Sequence, residues 1–240
     1  MLGLAPKYLC WLWQGFLLTL GLAAASAAAA TAGGLALALL RHARRHTLRA
    51  VAAGYIVTFR NTPLLVQLLF WYFGVASLLP DAWVAWLNAR HAWDAGPFTL
   101  AWPSFEFVAA WVGLSAYTAA FVAEECEAGL RGVRAAQHDA AAALGLTPLQ
   151  SLRYVILPQA VRLALPPLFG QYMNLVKNSS LTMAIGVAEL SYASRQVETE
   201  TFRTFAAFGV ATVLYIAAAA AIEAVAYAAA RWRDRLGPAG

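Results

Sequence analysis

Charged residues are scarce in this chain, and their scarcity excludes a water-soluble globular protein. Only 12% of the 240 residues are Asp, Glu, Lys or Arg, whereas a soluble domain typically carries about 25%. Hydrophobic residues make up 61% of the chain, and the mean hydropathy is +0.60. Because so little polar surface cannot cover a globule in water, lipid must solvate much of the chain.

Several motifs that would indicate catalysis or redox chemistry are also missing. No G-x-x-x-x-G-K-[ST] segment occurs, which excludes ATP hydrolysis by that phosphate-binding route. The lack of H-E-x-x-H and G-x-S-x-G weakens the case for an intramembrane hydrolase. The two cysteines, Cys10 and Cys126, are predicted to lie at opposite membrane surfaces, beyond the reach of a disulfide. The histidines all lie outside the predicted spans, which argues against haem or metal within the membrane: His42, His46, His91 and His138.

Stretches without charge predict an all-α integral membrane protein with about five transmembrane helices. The spans are placed within residues 8–40 and at about 63–79, 105–123, 155–176 and 204–230. The first apolar run is too long for a signal peptide and is interpreted as a retained span. Residues 47–61 form an amphipathic lead-in to the second span, and Pro166 with Pro167 is expected to break the fourth.

A Trp-rich segment at 80–104 separates the second and third predicted spans. Gly96, Pro97 and Pro103 predict a loop there with one short interfacial helix. Its tryptophans favour the headgroup level of a membrane. They are Trp83, Trp86, Trp93 and Trp102.

Basic residues set the predicted orientation, because cytoplasmic loops carry an excess of Lys and Arg. Twelve lie in the lead-in, in the region 124–162 and in the tail: Arg41, Arg44, Arg45, Arg49, Arg60, Arg131, Arg134, Arg153, Arg162, Arg231, Arg233 and Arg235. Five lie on the other side: Lys7, Arg90, Lys177, Arg195 and Arg203. The N-terminus is therefore predicted outside and the C-terminus inside. Since the basic residues lie between apolar runs, the net charge of +5 is interpreted as a topology signal and not as nucleic-acid binding.

The segment 178–190, NSSLTMAIGVAEL, fits no simple span. It is uncharged until Glu189 but too short to cross about 30 Å as a helix. Irregular backbone at membrane depth persists only where it is buried in protein or lines a wet cavity. The segment is therefore a candidate for the translocation path, and the alternative is a loop on the outer surface.

The most informative stretch is predicted to be cytoplasmic and covers residues 137–158, beginning QHDAAAALGLTP and ending in Leu157 and Pro158. Residues 139–144 predict a short helix with Asp139 in its first turn. Gly145 suits the C′ position that ends such a helix, and Pro148 prevents its continuation. A second helix is predicted to start near Leu149, so the product is a small rigid projection from the membrane.

This stretch resembles the EAA loop of binding-protein-dependent ABC importer permeases, whose form is E-A-A, three residues, G, nine residues, I, one residue, L-P. The pattern falls here on Asp139, Ala140, Ala141, Gly145, Val155, Leu157 and Pro158. Asp139 stands for Glu and Val155 for Ile, which keeps the shape and the sign of the charge. In that family the loop is a coupling helix that docks into the ATPase subunit, and the resemblance implies this role for the residues named and for Leu146.

Three further stretches resemble the polar amino-acid permeases of that family. They are YLCWLWQGF at 8–16, YIVTFRNTPLLVQ at 55–67, and MNLVKNSSL at 173–181. Together the stretches are similar to the glutamate/aspartate branch, although Ala120 and Phe121 stand where relatives often carry a charged residue. The resemblance implies one type I ABC importer transmembrane domain over 12–230.

The resemblance also implies the surroundings of the chain. It implies a multi-pass subunit of a bacterial inner membrane that pairs with a second permease chain, as a homodimer or heterodimer. Two ATP-binding subunits and a periplasmic solute-binding protein complete the importer. ATP and Mg²⁺ belong to the ATPase, so this chain binds no cofactor and is not an enzyme. The alternative is an ATP-independent channel or secondary transporter for a small polar solute, for which only Glu223 offers a mid-membrane carboxylate.

Polar residues near the end of the fourth span are the candidates for the substrate path. A cation beside amide groups suits a carboxylate, which points to Lys177 with Asn174 and Asn178. Ser179 and Gln67 complete this set. The alternative for Lys177 is an anchor at the outer headgroups. Glu223 is expected to have an interhelical partner, and Glu124, Glu125 and Glu127 are expected to form a solvated cytoplasmic helix end.

Overall fold

The computed structural model describes residues 4–89, 92–95, 98–101 and 103–235. Five residues used in the predictions lie outside these ranges: Arg90, His91, Gly96, Pro97 and Trp102. The helices are α1 Pro6–Arg41, α2 His46–Asn61, α3 Leu64–Leu69, α4 Val75–Leu78, α5 Asp81–Asn88, α6 Phe105–Arg131, α7 Ala135–Ala143, α8 Pro148–Ser151, α9 Leu157–Asn178, α10 Leu190–Thr201 and α11 Thr204–Arg235. The chain is thus helical almost throughout, as its sequence predicted.

Irregular helical turns connect several of these elements. A π-helical turn at Phe70–Gly74 joins α3 to α4, and another at Leu152–Ile156 joins α8 to α9. A 3₁₀ helix at Ser179–Ile185 follows α9. Such departures from α geometry are frequent where a membrane protein builds a functional site.

The segment after the second predicted span contains one structure that was predicted and one that was not. The short helix α5 is confirmed, with Asp81 in its first turn. The structure adds two strands, β1 Ala92–Ala95 and β2 Phe98–Ala101, which pair antiparallel with Ala92 opposite Ala101. The prediction of a plain loop was therefore wrong here, because Gly and Pro between two short apolar runs also favour a hairpin.

Within the described ranges, three helices are long and apolar enough to cross a membrane: Pro6–Arg41, Phe105–Arg131 and Thr204–Arg231. The number rises to four if the bent pair His46–Asn61 and Leu64–Leu78 is counted as one span. Among the described residues α9 does not reach that apolarity, because Gln159, Arg162 and Gln171 interrupt it. The count of five spans and the orientation remain predictions.

One predicted break was wrong. Pro166 and Pro167 do not break the fourth predicted span, because α9 continues through both to Asn178. A proline removes one backbone donor, and in a helical bundle the freed carbonyl group can be satisfied by neighbouring groups. The helix α6 extends to Arg131, beyond the predicted end of the third span near residue 123. Its acidic residues are therefore helical.

The chain divides into two compact units, which are described separately. Unit 1 comprises residues 1–27, 62–116 and 175–216. Unit 2 comprises residues 28–61, 117–174 and 217–240. The helices α1, α6, α9 and α11 each contribute residues to both units.

In unit 2, α6 and α9 meet at a glycine. A Cβ atom added to Gly129 would lie 2.6 Å from the carbonyl oxygen of Ala160 and 2.8 Å from Cβ of Ala164. Beyond this contact, Val133, Ile156 and Ala160 form a buried apolar cluster. Because lipid does not drive apolar helices together, packing through small residues is the main source of such contacts.

We expect Gly129→Ala to destabilise the protein by about 1–3 kcal/mol, because the methyl group would overlap a backbone atom that cannot rotate away. The midpoint of thermal unfolding in detergent measures the effect. Gly54→Ala in α2 is the matched control, since a Cβ there would meet nothing within 4 Å. That control is expected to be neutral or stabilising by about 1 kcal/mol through helix propensity. Equal midpoints for the two variants would contradict the close contact of α6 and α9.

Candidate functional site

The projecting helix α7 begins four residues earlier than predicted. It spans Ala135–Ala143, and Arg134, with φ −59° and ψ 138°, precedes its first turn. Asp139 therefore lies in the middle of the helix and not in its first turn, so the predicted interaction of Asp139 with the helix dipole was wrong. Ala135 and Ala136 are strong helix formers, which explains the earlier start.

The end of α7 is the turn that was predicted. Gly145 has φ +77°, a conformation that an L side chain rarely adopts. The amide of Leu146 donates to the carbonyl of Ala141 at 3.1 Å, and the amide of Gly145 donates to Ala142 at 2.9 Å. These two bonds form the Schellman motif that closes a helix, so the C′ position of Gly145 is confirmed.

A capping box starts the next helix. The backbone amide of Thr147 donates to side-chain Oε1 of Gln150 at 2.9 Å, and the backbone amide of Gln150 donates to Oγ1 of Thr147 at 3.4 Å. Pro148 occupies the first position of α8, one residue before the predicted start. Proline is well suited to that position, because its missing amide hydrogen has no partner there anyway. Both sides of the Gly145 turn therefore have defined geometry.

Side chains at the base of α7 attach it to the start of α9. Ala141 is only 2% exposed. Nε2 of Gln159 donates to Oε1 of Gln137 at 3.2 Å and to the carbonyl of Val155 at 2.9 Å. Together with the apolar cluster of Val133, Ile156 and Ala160, these contacts attach α7 to the segment that leads into α9.

The tip of the projection is apolar and exposed. Leu144 is 80% exposed and Leu149 is 74% exposed, on either side of the Gly145 turn. Asp139 and Ala140 are also exposed, whereas Leu146 is half-buried. Leu157 and Pro158, the last two residues of the motif, are exposed at the start of α9. Exposed leucines on a rigid turn are typical of a surface that binds another protein.

The three glutamates of α6 form contacts within unit 2 and are not a solvated helix end. Glu124 forms ion pairs with Arg41 and Arg60, the latter at 3.4 Å. Glu127 contacts Nε2 of His42 at 2.9 Å. Oε1 of Glu125 accepts from Nε2 of Gln171 at 2.9 Å. The prediction was wrong because it could not pair these acids with Arg, His and Gln side chains that are distant in the sequence.

In unit 1, the segment 178–190 is partly buried. Within its 3₁₀ helix Ser179, Thr182 and Ile185 are buried, and Val187 is buried after it. Gly186 turns the chain with φ +90° and is exposed, as is Met183. The translocation path and the alternative of a loop on the outer surface both remain predictions.

Glu189 ends this segment and joins three elements of unit 1. It is completely buried. One carboxylate oxygen caps α10 by accepting from the amide of Tyr192 at 2.9 Å. The other accepts from the hydroxyl of Tyr215 at 2.7 Å and from Oγ1 of Thr19 at 3.4 Å. Sequence reasoning missed this network, although an acid at the end of an otherwise uncharged run was its signal.

A cavity of about 310 Å³ lies beside this network in unit 1. It is lined by Lys177, Ser180, Ser191, Ser194, Phe208, Ala211, Thr212 and Tyr215. Of the five residues predicted for the substrate path, only Lys177 lines it. The hydroxyl of Ser179 is buried and donates to the carbonyl of Val176 at 2.7 Å. Gln67 is also buried, and its side-chain Nε2 donates to the backbone carbonyl of Thr62 at 3.1 Å.

Asn174 and Asn178, the remaining two of those five residues, do not line this cavity. Asn174 is exposed and Asn178 is half-buried.

Glu223 in α11 is exposed beside a second cavity of about 260 Å³ in unit 2. Its neighbours there include Phe169, Gly170, Ala226 and Tyr227. Across the described part of the chain no side chain bonds to its carboxylate, and the expected interhelical partner of Glu223 remains a prediction.

Comparison with protein families matches residues 30–236 to the family described as "Binding-protein-dependent transport system inner membrane component". The chain is 32% identical over 210 residues to the glutamate/aspartate import permease protein GltJ of Escherichia coli K12, covering 87% of this chain and 81% of that protein. It is 33% identical over 183 residues to the probable glutamine ABC transporter permease protein GlnM of Bacillus subtilis 168, covering 76% and 74%. A crystal structure of an amino acid ABC transporter with histidines superposes with a TM-score of 0.79 at 28% identity, covering 94% of this chain and 95% of that chain.

We expect Glu189→Gln to destabilise the protein by about 1–3 kcal/mol, because an amide nitrogen would face the hydroxyl donors of Thr19 and Tyr215. Thermal unfolding in detergent measures the effect. Glu198→Gln is the matched control on α10, where Glu198 forms only a 3.9 Å surface ion pair with Arg195, and it is expected to cost about 1 kcal/mol or less. A Glu189→Gln variant as stable as this control would show that the buried network contributes little.

Proposed function

This chain belongs to the family of binding-protein-dependent transport system inner membrane components, and we propose that the amino acids it imports are glutamate and aspartate. It is the permease subunit of an amino-acid ABC importer of the bacterial inner membrane, a translocation component and not an enzyme. The proposed substrates are supported by the similarity to a glutamate/aspartate import permease, and a glutamine permease of similar identity is the competing comparison.

The projection formed by α7, the Gly145 turn and α8 is proposed to dock into the ATP-binding subunit. The observation that supports this role is the exposed pair Leu144 and Leu149 on a turn whose base is fixed by Ala141 and Gln159. An apolar tip can enter a groove, and a rigid base transmits force from that groove to the attached helix. The exposed Asp139 and Ala140 lie on the same helix and complete the proposed surface.

The remaining components follow from the same proposal. A second permease chain and a periplasmic solute-binding protein complete the importer with two ATP-binding subunits. ATP and Mg²⁺ bind to those subunits, and this chain binds no cofactor. Closure of the ATP-binding subunits shifts the permease pair towards an outward-open state, into which the binding protein releases the amino acid.

We expect Leu144→Ala combined with Leu149→Ala to weaken association with the ATP-binding subunit by at least about tenfold, because two exposed apolar anchors are lost. Co-purification from membranes and affinity measurement in detergent test this outcome. Leu48→Ala is the matched control, since Leu48 is an exposed leucine of α2, outside the projection. Unchanged association of the double variant would defeat the docking proposal.

Uptake by the complete importer in proteoliposomes tests the substrates. Unlabelled glutamate and aspartate are expected to abolish uptake of labelled glutamate, while the same concentrations of glutamine and arginine leave most of it. If glutamine competes as well as glutamate does, the proposed specificity is wrong and the permease function is unaffected.

A further inference from the structure

We propose that the cavity of unit 1 is a subsite for the zwitterionic part of an amino acid, with Lys177 binding the carboxylate and the oxygens of Ser191 and Tyr215 accepting from the ammonium group. This inference rests on the proposed import of amino acids and adds the place where the chain itself holds one. It concerns the groups that all α-amino acids share, and it leaves discrimination between side chains to other contacts.

The cationic end of the cavity is Lys177. Its ammonium group has three N–H donors, and across the described ranges no acidic side chain lies within ion-pair distance of it. Lys177 is exposed at the end of α9, and Ser180 lies beside it in the cavity wall. An unpaired ammonium group facing a cavity complements a carboxylate, and such charge-assisted bonds are stronger than those between neutral groups.

Two residues of the cavity lining, Ser191 and Tyr215, are arranged to accept hydrogen bonds. The hydroxyl of Tyr215 donates its one proton to Glu189 at 2.7 Å. The 3.0 Å contact between Ser191 and Tyr215 therefore uses the proton of Ser191. With both protons committed, the two oxygens retain only lone pairs for a ligand, and these accept from an ammonium group.

The protons of the other hydroxyl groups in the cavity lining are also used in hydrogen bonds within the protein. Ser180, Ser194 and Thr212 each donate to a backbone carbonyl of their own segment, at 2.6, 2.7 and 2.7 Å respectively. None of these protons is therefore directed to a ligand, and Lys177 is the strong donor of the wall. An arrangement with one cation and several acceptors distinguishes a zwitterion from a simple anion.

The buried carboxyl group of Glu189 supports the acceptors of the cavity wall. It accepts hydrogen bonds from the backbone amide of Tyr192 and from the hydroxyl groups of Thr19 and Tyr215. Its bond to Tyr215 makes the Tyr215 oxygen a better acceptor, because hydrogen bonds in a chain strengthen one another. The cavity lining thus contains Lys177 as a cation together with polarised acceptor oxygens.

The dimensions and the apolar wall fit a small ligand. A volume of about 310 Å³ is at the lower end of the roughly 300–1,000 Å³ of small-molecule pockets. Phe208 and Ala211 add apolar surface to the lining, against which the carbon atoms of an amino acid can pack.

Direct binding to the complete importer, purified without its solute-binding protein, tests the proposal. Labelled glutamate is the probe, and unlabelled glutamate, 2-oxoglutarate and glutamate 1-amide are the competitors. Of these, 2-oxoglutarate lacks the ammonium group and glutamate 1-amide lacks the α-carboxylate. We expect glutamate to compete at least about tenfold better than either, because each lost charge-assisted bond changes affinity by that order. Equal competition by 2-oxoglutarate would overturn the assignment of the acceptor wall.

Variants of the cavity give the second arm. Lys177→Met is expected to weaken glutamate binding at least about tenfold, and Lys177→Arg to restore most of it, because the charge returns. Ser191→Ala is expected to weaken binding less and without unfolding, since Ser191 is at the edge of the network. Arg195→Met is the matched control, because Arg195 is an exposed cation of α10 outside the cavity.

The outcomes separate this inference from the proposed function. ATP hydrolysis stimulated by the binding protein reports on the importer, and it is expected to persist in Lys177→Met while uptake falls. Normal glutamate binding and uptake in Lys177→Met would overturn the subsite and leave the importer intact. If Lys177→Met lowers only the thermal stability, the subsite is also overturned, because Lys177 is then an anchor at the lipid headgroups. Absence of ATP-driven uptake in the wild type, with glutamate binding that still depends on Lys177, would refute the importer and retain the subsite.

Discussion

The close contact of α6 and α9 at Gly129 is the constraint on which the projecting loop depends. No side chain larger than hydrogen fits against the Ala160 carbonyl at that point. The approach brings Val133 and Ile156 into one apolar cluster, and the same helix end supplies Gln159, which bonds to α7. The loop between the two helices is therefore closed at its base by packing and not only by its own turns. A rigid turn on a loose base could not transmit a displacement.

The helix α9 connects the two functional features through a single continuous element. It begins at Leu157 beside the residue that holds the projection, and it ends at Asn178 beside the lysine of the cavity. Its two prolines do not interrupt it, so the glutamine that bonds to α7 and the lysine of the cavity belong to one helix. Irregular helical geometry flanks α9, with a π-helical turn before it and a 3₁₀ helix after it.

Features set by neighbouring residues could be predicted from the sequence, and features set by distant pairs could not. The Gly145 turn and the α7–α8 corner were predicted because glycine, proline and helix formers act within a few residues. The Glu124 ion pairs and the bond from Thr19 to Glu189 join residues more than sixty positions apart, and no local pattern specifies them. The continuity of α9 through Pro166 was missed for the same reason, since neighbouring helices decide whether a freed carbonyl group is tolerated. Of the five residues predicted for the substrate path, only Lys177, the one charged residue among them, lines the cavity.

The exposed carboxylate of Glu223 adds an energetic cost where it faces lipid. A charged side chain costs about 2.5–3.5 kcal/mol at the centre of a span and less towards its ends. Glu223 lies within the most apolar of the spanning helices, and the described residues offer it no bond. Water or a neighbouring polypeptide that reaches this carboxylate lowers the cost. A copy whose Glu223 carboxylate meets only lipid is thus a state of higher free energy than one in which water or another polypeptide reaches that carboxylate.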